Sequence, residues 1–301
     1  MTRFLLVLAT LLAPAALAAS APLGTVVQHV RTGLGPDGMA VGGGALWVAN
    51  VEDSALTRID LRTHRARRVP AGPGPIAVAV AAGHVWAADY NGDTVTELDT
   101  AGHKLATVRV GSKPVGLAVA GGSLWVLNQA DGTASIVDPA THAVTDTVPL
   151  KPGMGFAAFA AGSVWVPGFM GSQTVERIDP ATRQPVATIA VGKWPVELAF
   201  GAGSAWVVNG GPGTISRIDL AANAVTATIK VPAEPTGITF ARGRVWVASI
   251  TAANVSAIDP ATNKVVGAVK IGGGLRDVAV IGRDLWVADY DLGEAVRVRL
   301  R

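Results

Sequence analysis

The sequence predicts an all-β protein, a seven-bladed β-propeller with four antiparallel strands in each blade. Three observations lead to this fold. Seven tryptophans recur at intervals of 39 to 41 residues, each repeat divides into four short apolar segments, and the last repeat lacks one segment that the N-terminus can supply. A fixed period near 40 residues indicates a repeat architecture, and four strands in each repeat are typical of propeller blades.

The seven repeat tryptophans stand in one sequence frame, a glycine turn followed by an apolar run, Trp, and usually Val and a small polar residue. GSLWVLN at 122–128 and GSAWVVN at 203–209 show it. Because these side chains are large and evenly spaced, we expect each indole to fill the space between two blades rather than to take part in chemistry. The seven are Trp47, Trp86, Trp125, Trp165, Trp206, Trp246 and Trp286.

The third repeat shows the four strands of a blade in order. Its segments are rich in Val, Ile, Thr and Trp and are bounded by Gly, Pro, Asn and Asp, which is the pattern of strands joined as hairpins. The third strand ends in an Asp-Pro-Ala-Thr turn, in which Pro presets φ and Asp accepts from turn amides. The predicted strands are 115–119, 124–128, 134–137 and 143–150.

The ring closes through the two ends of the chain. The last repeat supplies strands at 277–280, 285–289 and 295–300, and the segment 25–31 (TVVQHVR) has the composition of the missing fourth strand. Pairing 25–31 with 295–300 joins the first and last repeats and leaves no open seam. We therefore expect residues 22–301 to form a single propeller domain.

The N-terminus has the pattern of a secretory signal peptide over residues 1–18. Arg3 precedes an apolar stretch at 4–18, and cleavage after Ala18 or Ala21 satisfies the small-x-small rule. The stretch is too short and too rich in Ala for a membrane span. The sequence therefore predicts a periplasmic or secreted protein without a membrane span.

The chain has no cysteine, which excludes disulfides, thiol catalysis, cysteine metal sites and a lipoprotein anchor. Its formal net charge is +3. So small a charge does not by itself indicate nucleic-acid binding.

One repeat carries a family resemblance. Val164-Trp165-Val166, TVERIDPAT at 174–182 and VATIAVG at 186–192 resemble the YVTN-repeat propellers of exported bacterial proteins. Streptogramin (virginiamycin B) lyases look like relatives, and sugar lactonases of the gluconolactonase type are similar more loosely. The resemblance covers the mature chain and implies the propeller fold, but it implies little about function. A streptogramin-lyase resemblance implies a histidine base and carboxylates at the channel mouth.

Candidate site residues stand out as departures from the repeat. The first, innermost strand of each blade reads Pro-x-Gly, and we call its third residue the glycine position. Small residues suit this crowded position near the axis, but Glu197 and Asp277 occupy it in two blades. A carboxylate beside an apolar wall must be paired, solvated or functional.

The position before the proline carries further departures. Most repeats have Gly there, whereas three have Lys113, Trp194 and Glu234. Trp194 is the eighth tryptophan, outside the inter-blade series, and can offer a stacking surface or fold over its own blade. We therefore expect a ligand or partner to contact the channel mouth through these three residues with Glu197, Arg276 and Asp277.

A metal site is the alternative for the same residues. Glu197, Glu234 and Asp277 could hold Ca²⁺ or Mg²⁺, which prefer oxygen ligands. The protein would then be a metal-dependent hydrolase or lyase acting on a lactone or cyclic ester. Histidine chemistry is disfavoured, because none of the five histidines is expected at the channel mouth.

One basic cluster comprises Arg62, Arg65, Arg67 and Arg68. Such charges guard exposed strand edges, but they could also bind an anionic polymer or single-stranded nucleic acid. The leading hypothesis is an exported, monomeric and non-catalytic propeller that binds a small ligand or an exported protein at its channel mouth. A subunit of a larger exported assembly remains a third hypothesis.

Overall fold

A computed structural model describes residues 23–151 and 153–301, and its regular secondary structure in these ranges is entirely β. The predicted signal peptide lies outside the described residues. Within the described part of the chain, no helix has the length and apolarity needed to cross a membrane.

Twenty-eight strands form seven sheets of four antiparallel strands. Blades 1 to 3 contain β2 (Pro36–Gly42), β3 (Ala45–Asn50), β4 (Ala55–Asp60), β5 (Ala66–Pro70), β6 (Pro75–Ala81), β7 (His84–Asp89), β8 (Thr94–Asp99), β9 (Lys104–Arg109), β10 (Pro114–Ala120), β11 (Ser123–Asn128), β12 (Thr133–Asp138) and β13 (Ala143–Pro149). Blades 4 and 5 contain β14 (Ala158–Ala160), β15 (Ser163–Pro167), β16 (Thr174–Ile178), β17 (Pro185–Ala190), β18 (Pro195–Gly201), β19 (Ser204–Asn209), β20 (Thr214–Asp219) and β21 (Ala224–Lys230). Blades 6 and 7 contain β22 (Pro235–Ala241), β23 (Arg244–Ser249), β24 (Asn254–Asp259), β25 (Lys264–Lys270), β26 (Leu275–Ile281), β27 (Asp284–Asp289), β28 (Glu294–Leu300) and, from the N-terminus, β1 (Gly24–Arg31).

The predicted ring closure is confirmed. β1 pairs antiparallel with β28, from Gly24 opposite Leu300 to Arg31 opposite Glu294. The seventh sheet therefore has the order β1-β28-β27-β26, and its outermost strand comes from the other end of the chain. The closed ring has no free seam at which the first and last blades could separate.

The core is divided into seven clusters, and each cluster contains one repeat tryptophan packed against the following blade. Trp206 of blade 5, for example, lies among Val245, Val247 and Ile258 of blade 6. All seven tryptophans are at most 3% exposed. The inter-blade role predicted for them is confirmed, because the clusters occur at the junctions between blades and not within single blades.

Arginine side chains reinforce four of these junctions. The residue paired with the tryptophan across the sheet is Arg in blades 1, 4, 5 and 7. Arg217, for instance, places its guanidinium 4.8 Å from the centroid of the Trp206 ring and donates to the Pro260 carbonyl of blade 6 at 2.7 Å. Stacking on the indole and bonding to the next blade let one side chain span two blades.

Blade 2 has Glu97 where those blades have Arg. Its side chain is fully buried, and its carboxylate oxygens lie 2.7 Å from His84 Nδ1 and 2.6 Å from His142 Nε2 of blade 3. The junction between blades 2 and 3 is therefore spanned by a carboxylate between two imidazoles. All three residues lie outside the cavity described below.

We expect Trp206→Ala to lower the free energy of unfolding by about 3–5 kcal/mol, because it leaves a large void at an inter-blade junction. Trp194→Ala is the matched control: that side chain is 48% exposed, and its truncation should change stability by less than about 1 kcal/mol. Denaturant titration of the three proteins measures both values. Equal losses would contradict the distinction between the junction tryptophans and the eighth.

Candidate functional site

A bulge in the innermost strands exposes part of each strand to the channel. In blades 1, 5, 6 and 7 the pairing with the second strand skips two residues after the first residue of the strand, as between Pro195 and Leu198. In blades 2 and 3 only one residue is skipped. A bulge releases backbone groups from the ladder and redirects side chains. The two skipped residues are the one at the glycine position and the one just before it. We call the place of the latter, between the proline and the glycine position, the intervening position.

These residues line a cavity of about 560 Å³ at the mouth of the channel. Its two sides differ in chemistry. Blades 5, 6, 7 and 1 form what we call the polar wall: Glu197, Glu234, Thr236, Arg276, Asp277 and Asp37. Blades 2, 3 and 4 and the start of blade 5 form the apolar wall, which includes Ile76, Tyr90, Val115, Met154, Phe156, Phe169, Met170, Trp194 and Val196.

Two carboxylates of the polar wall accept hydrogen bonds from the neighbouring blade. Asp277 accepts from the Met39 amide of blade 1 at 2.6 Å, and Glu197 accepts from the Ile238 amide of blade 6. Both donors immediately follow the glycine position of their own blade. In blade 6 that position must be glycine, because a Cβ on Gly237 would lie 2.5 Å from the Cα of Asp277.

Asp37, Glu197 and Asp277 form a group of interacting acids in the channel. Each remains partly exposed to channel water, but the surrounding protein excludes most of the bulk solvent. This desolvation raises the pKa of Asp37 to about 6 and that of Asp277 to about 7. Desolvation, together with the negative charges of Asp277 and Asp37, raises the pKa of Glu197 well above its ordinary value. At neutral pH the group therefore contains both proton donors and proton acceptors.

Arg276 is the cation of the polar wall. Its guanidinium carbon lies 4.6 Å from the centroid of the Tyr290 ring, and the Tyr290 hydroxyl donates to Glu52 at 2.7 Å. Its positive charge lowers the pKa of Asp37, but desolvation has the larger effect on that acid. Stacking on Tyr290 therefore fixes the guanidinium at the edge of the acid group.

Blade 4 departs most from the repeat and shapes the apolar wall. Its first strand, β14, has only three residues, and the segment before it pairs with blade 5: the Phe156 amide donates to the Val196 carbonyl at 2.9 Å. The Phe169 amide likewise donates to Pro195 at 2.9 Å. These bonds bring Phe156, Phe169 and the 66% exposed Met170 to one side of the cavity.

Three residues at the position before the proline adopt backbone angles that normally require glycine. φ is 57° at Lys113, 57° at Trp194 and 54° at Glu234, whereas Gly35, Gly74 and Gly153 occupy the equivalent left-handed position in other blades. A left-handed conformation costs a residue with a Cβ roughly 1 kcal/mol or more. Strain of this kind is typical of positions retained for function.

Of the six contact residues predicted from the sequence, five line the cavity: Trp194, Glu197, Glu234, Arg276 and Asp277. The sixth, Lys113, lies beside the cavity, with Nζ 4.5 Å from the centroid of the Tyr90 ring. Whether a ligand contacts these residues stays a prediction.

The predicted metal ligands do not form a matching site. Glu234 is an exposed residue whose carboxylate accepts from the Thr251 hydroxyl, while Glu197 interacts with Asp277 and Asp37 instead. Across residues 23–151 and 153–301, no three His, Cys, Asp or Glu side chains are grouped so that they could hold a metal ion. Among the described residues the three predicted ligands are therefore not brought together as one set, and binding of Ca²⁺ or Mg²⁺ stays a prediction.

Histidine and asparagine side chains of the described residues lie outside the cavity lining. Within the described ranges, no histidine lines the cavity, in agreement with the placement expected from the repeat. Asn128 and Asn209, at the ends of their strands, are buried and donate to nearby hydroxyls, Asn209 to Ser216 at 2.9 Å. They stabilise their own turns, as their turn-forming residue types predict.

The basic cluster lies apart from the cavity. Arg62, Arg65, Arg67 and Arg68 are all exposed on blade 1. Arg297 and Arg299 of the adjoining blade both pair with Asp284, whose single negative charge offsets about half of their positive charge. Binding of an anionic polymer or single-stranded nucleic acid by this cluster stays a prediction.

Three cavity features were missed by the sequence analysis. Asp37 occupies the intervening position, where the other blades have Ile, Val, Gly, Val, Thr and Arg. Comparing that position across repeats would have found it. Phe156 stands at a glycine position, and Phe169 follows Gly168, which replaces the Asn, Asp or Ser that the other blades have at the end of the second strand. Both departures were visible, but the change in blade 4 pairing that brings them together was not.

The comparisons with known proteins support the architecture. Virginiamycin B lyase from Staphylococcus aureus superposes with a TM-score of 0.80 at 14% identity over 91% of this chain and 99% of that one. A streptogramin B lyase superposes with a TM-score of 0.82 at 14% identity, over 94% of this chain and 100% of that one. Hydrazine synthase from Kuenenia stuttgartiensis superposes with a TM-score of 0.73 at 15% identity, over 90% of this chain and 97% of that one. These likenesses establish a fold.

They do not establish a family. No family model matches the chain, so the YVTN-repeat resemblance is not confirmed. No curated protein matches it in sequence either. The solved structures show that the chain is a seven-bladed propeller like the streptogramin B lyases, and function has to be inferred from its own residues.

The acid group predicts how stability depends on pH. Because the pKa of Asp37 rises from 3.8 to about 6 on folding, the folded protein retains this proton to higher pH than the unfolded chain. The free energy of unfolding therefore falls as pH rises through this interval. We expect Asp37→Asn to be more stable than the parent at pH 8, by about 1–3 kcal/mol, and the difference to vanish below about pH 4.

Asp138→Asn is the control, because folding shifts the pKa of Asp138 in the opposite direction to that of Asp37. The Ala140 amide lowers the pKa of Asp138 in the folded protein, so its ionised form contributes stability above the ordinary pKa. This variant should be less stable than the parent at neutral pH and approach it in acid. Denaturant titrations from pH 3.5 to 8 measure both trends. Parallel curves for Asp37→Asn and the parent would contradict the raised pKa.

Proposed function

We propose that this protein is an exported, non-catalytic binding module that takes a small amphipathic molecule into its channel mouth. One observation carries the proposal: the cavity of about 560 Å³ has an apolar wall on one side and a charged wall on the other. Ligand pockets typically combine a mostly apolar lining with a few placed polar groups. A ligand with an apolar body and a polar end matches both walls at once.

Two further features support a binding role. Trp194 and Met170 are 48% and 66% exposed at the apolar rim, although such side chains bury well when a partner covers them. The turn before the innermost strand is also left-handed at Gly35, Gly74 and Gly153, so the fold requires this backbone, and placing Lys113, Trp194 and Glu234 there instead of glycine costs stability. Features that cost stability and do not serve the fold are expected where a site is functional.

Export is part of the proposal and rests on the sequence of residues 1–18. The mature chain would begin at Ala19 or Pro22. Expression of the full chain in a bacterial host, followed by fractionation and N-terminal sequencing, tests it. An intact N-terminus in the cytoplasmic fraction would contradict export.

A library of small amphipathic compounds, assayed by thermal denaturation, tests the binding function. A compound that binds only the folded protein must raise its Tm. We expect hits whose affinity falls about tenfold in Trp194→Ala, because an aromatic contact is lost. Ile76→Trp should abolish binding, since the larger side chain fills the cavity.

Val265→Ala is a matched control, since Val265 is a partly exposed side chain on an outer strand away from the cavity. It should bind hits as the parent does. Tm values without ligand check that each variant is folded. Failure of all compounds to shift the parent, or hits unaffected by Ile76→Trp, would exclude the channel mouth as the binding site.

An acid–base enzyme acting on a lactone or cyclic ester is the second candidate, favoured by the coupling of Glu197 with Asp277. Two interacting carboxyl groups whose pKa values are both raised by burial can act as proton donor and acceptor in one reaction. The streptogramin B lyases share the fold, but at 14% identity that likeness does not transfer their activity.

Mass spectrometry after incubation with lactones and a cyclic depsipeptide tests the enzyme. Ring opening by the parent that is lost in both Glu197→Gln and Asp277→Asn would support it. Addition of Ca²⁺ or Mg²⁺ in parallel tests the metal-dependent version, and an unchanged Tm at millimolar metal would contradict it.

A further inference from the structure

We propose that the polar wall recognises a protonated amine, so that the ligand is a cationic amphiphile whose ammonium group lies among Asp37, Glu197 and Asp277. This inference rests on the proposed binding function and names the chemical class of its ligand. Its basis is an excess of carboxyl groups, which ionise when a cation lies among them, over the cations that the polar wall itself supplies.

Asp37 shows the excess most directly. It lines the cavity, yet no N–H or O–H of the described residues donates to its carboxylate. Asp277 and Glu197, by contrast, each accept from a backbone amide. A desolvated carboxylate without a donor is unfavourable in the empty protein. A ligand that brings a charged donor to this position removes that cost.

Arg276 does not neutralise the group. Among the described residues, no carboxylate oxygen lies within 4 Å of its guanidinium nitrogens. The guanidinium instead stacks on Tyr290, and its Nε is buried without a hydrogen-bond partner. The polar wall therefore has four carboxyl groups, those of Asp37, Glu197, Glu234 and Asp277, and a single cation, Arg276, which is stacked on Tyr290.

The other charged groups of the channel mouth lie at its rim. Glu234 accepts from Thr251, Glu52 accepts from Tyr290, and Lys113 stands over Tyr90. Glu234 and Glu52 add negative charge near the entrance. Lys113 adds positive charge at the rim, where its Nζ lies 4.5 Å from the centroid of the Tyr90 ring of blade 2.

The opposite wall suits the rest of such a ligand. Phe156, Phe169 and Trp194 offer aromatic surface, and Ile76 and Val115 offer aliphatic surface. Aromatic faces attract cations as well as apolar groups, so they tolerate an ammonium that enters past them. An anionic ligand would lie against the acids Asp37, Glu197 and Asp277. Its only favourable charge interaction with the polar wall would be with Arg276, which is stacked on Tyr290.

Binding should release protons. A positive charge near a carboxyl group favours its ionised form and lowers its pKa. At pH 6.5 Asp277, with a pKa of about 7, is more than half protonated in the empty protein, and Asp37 is partly so. An ammonium group held between them displaces these protons, whereas a neutral ligand leaves them in place.

Three probes of one shape test the class: 2-(1-naphthyl)ethylamine, 2-(1-naphthyl)ethanol and 1-naphthylacetate. Calorimetric titration at pH 6.5, in two buffers of different ionisation enthalpy, gives affinity and proton release together. We expect the amine to bind at least about tenfold more tightly than the alcohol, as a charge-assisted hydrogen bond allows. Proton release should accompany the amine alone.

Asp37→Asn and Glu197→Gln should each reduce the preference for the amine and leave alcohol binding unchanged. Asp291→Asn is the matched control: it removes the same charge from an exposed residue outside the cavity lining and should behave as the parent. Tm values confirm that each variant is folded.

The outcomes separate this inference from the proposed function. Tightest binding of 1-naphthylacetate, or equal binding of amine and alcohol, would overturn the amine inference and leave a binding cavity in place. Amine preference that survives Asp37→Asn and Glu197→Gln unchanged would overturn it as well. Absence of binding by all three probes, together with no hit in the compound library, would overturn the proposed function itself.

Discussion

The packing of one tryptophan against the next blade is the interaction on which the rest of the molecule depends. A four-stranded blade cannot bury both of its faces alone, so the free energy of folding comes largely from the seven inter-blade clusters. Ring closure makes every blade equally necessary, since β1 and β28 join the last blade to the N-terminus. The radius and shape of the channel follow from these junctions.

The charged residues that line the cavity stand at positions outside the apolar clusters between the blades. The second and third strands are almost entirely buried, and their residues serve the junctions. The start of the innermost strand is different in every blade except blade 4, because a bulge releases its residues from the ladder. The streptogramin B lyases share the fold at 14% identity, so the propeller architecture does not depend on one particular set of residues.

The acid group and the strained rim lower the stability of a fold that does not need them. Desolvation raises the pKa values of Asp37, Glu197 and Asp277, which means that folding disfavours their charged forms. Left-handed Lys113 and Trp194 add backbone strain. The acids line the cavity opposite its apolar wall, and perturbed carboxyl groups in a cleft are a reason to place the proposed binding site there.

The sequence by itself determined the blade number, the strand order and the closure by residues 25–31, because these follow from a local repeat and from alternation within short segments. It also indicated Glu197 and Asp277, since each replaces a small residue near the axis. Only the tertiary structure decided that Asp37 joins them while Glu234 does not, and that blade 4 pairs with blade 5 beside Trp194. Those relations depend on which blades face one another across the channel and on where each strand bulges. A local sequence pattern contains neither, because both arise from contacts between residues far apart in the chain.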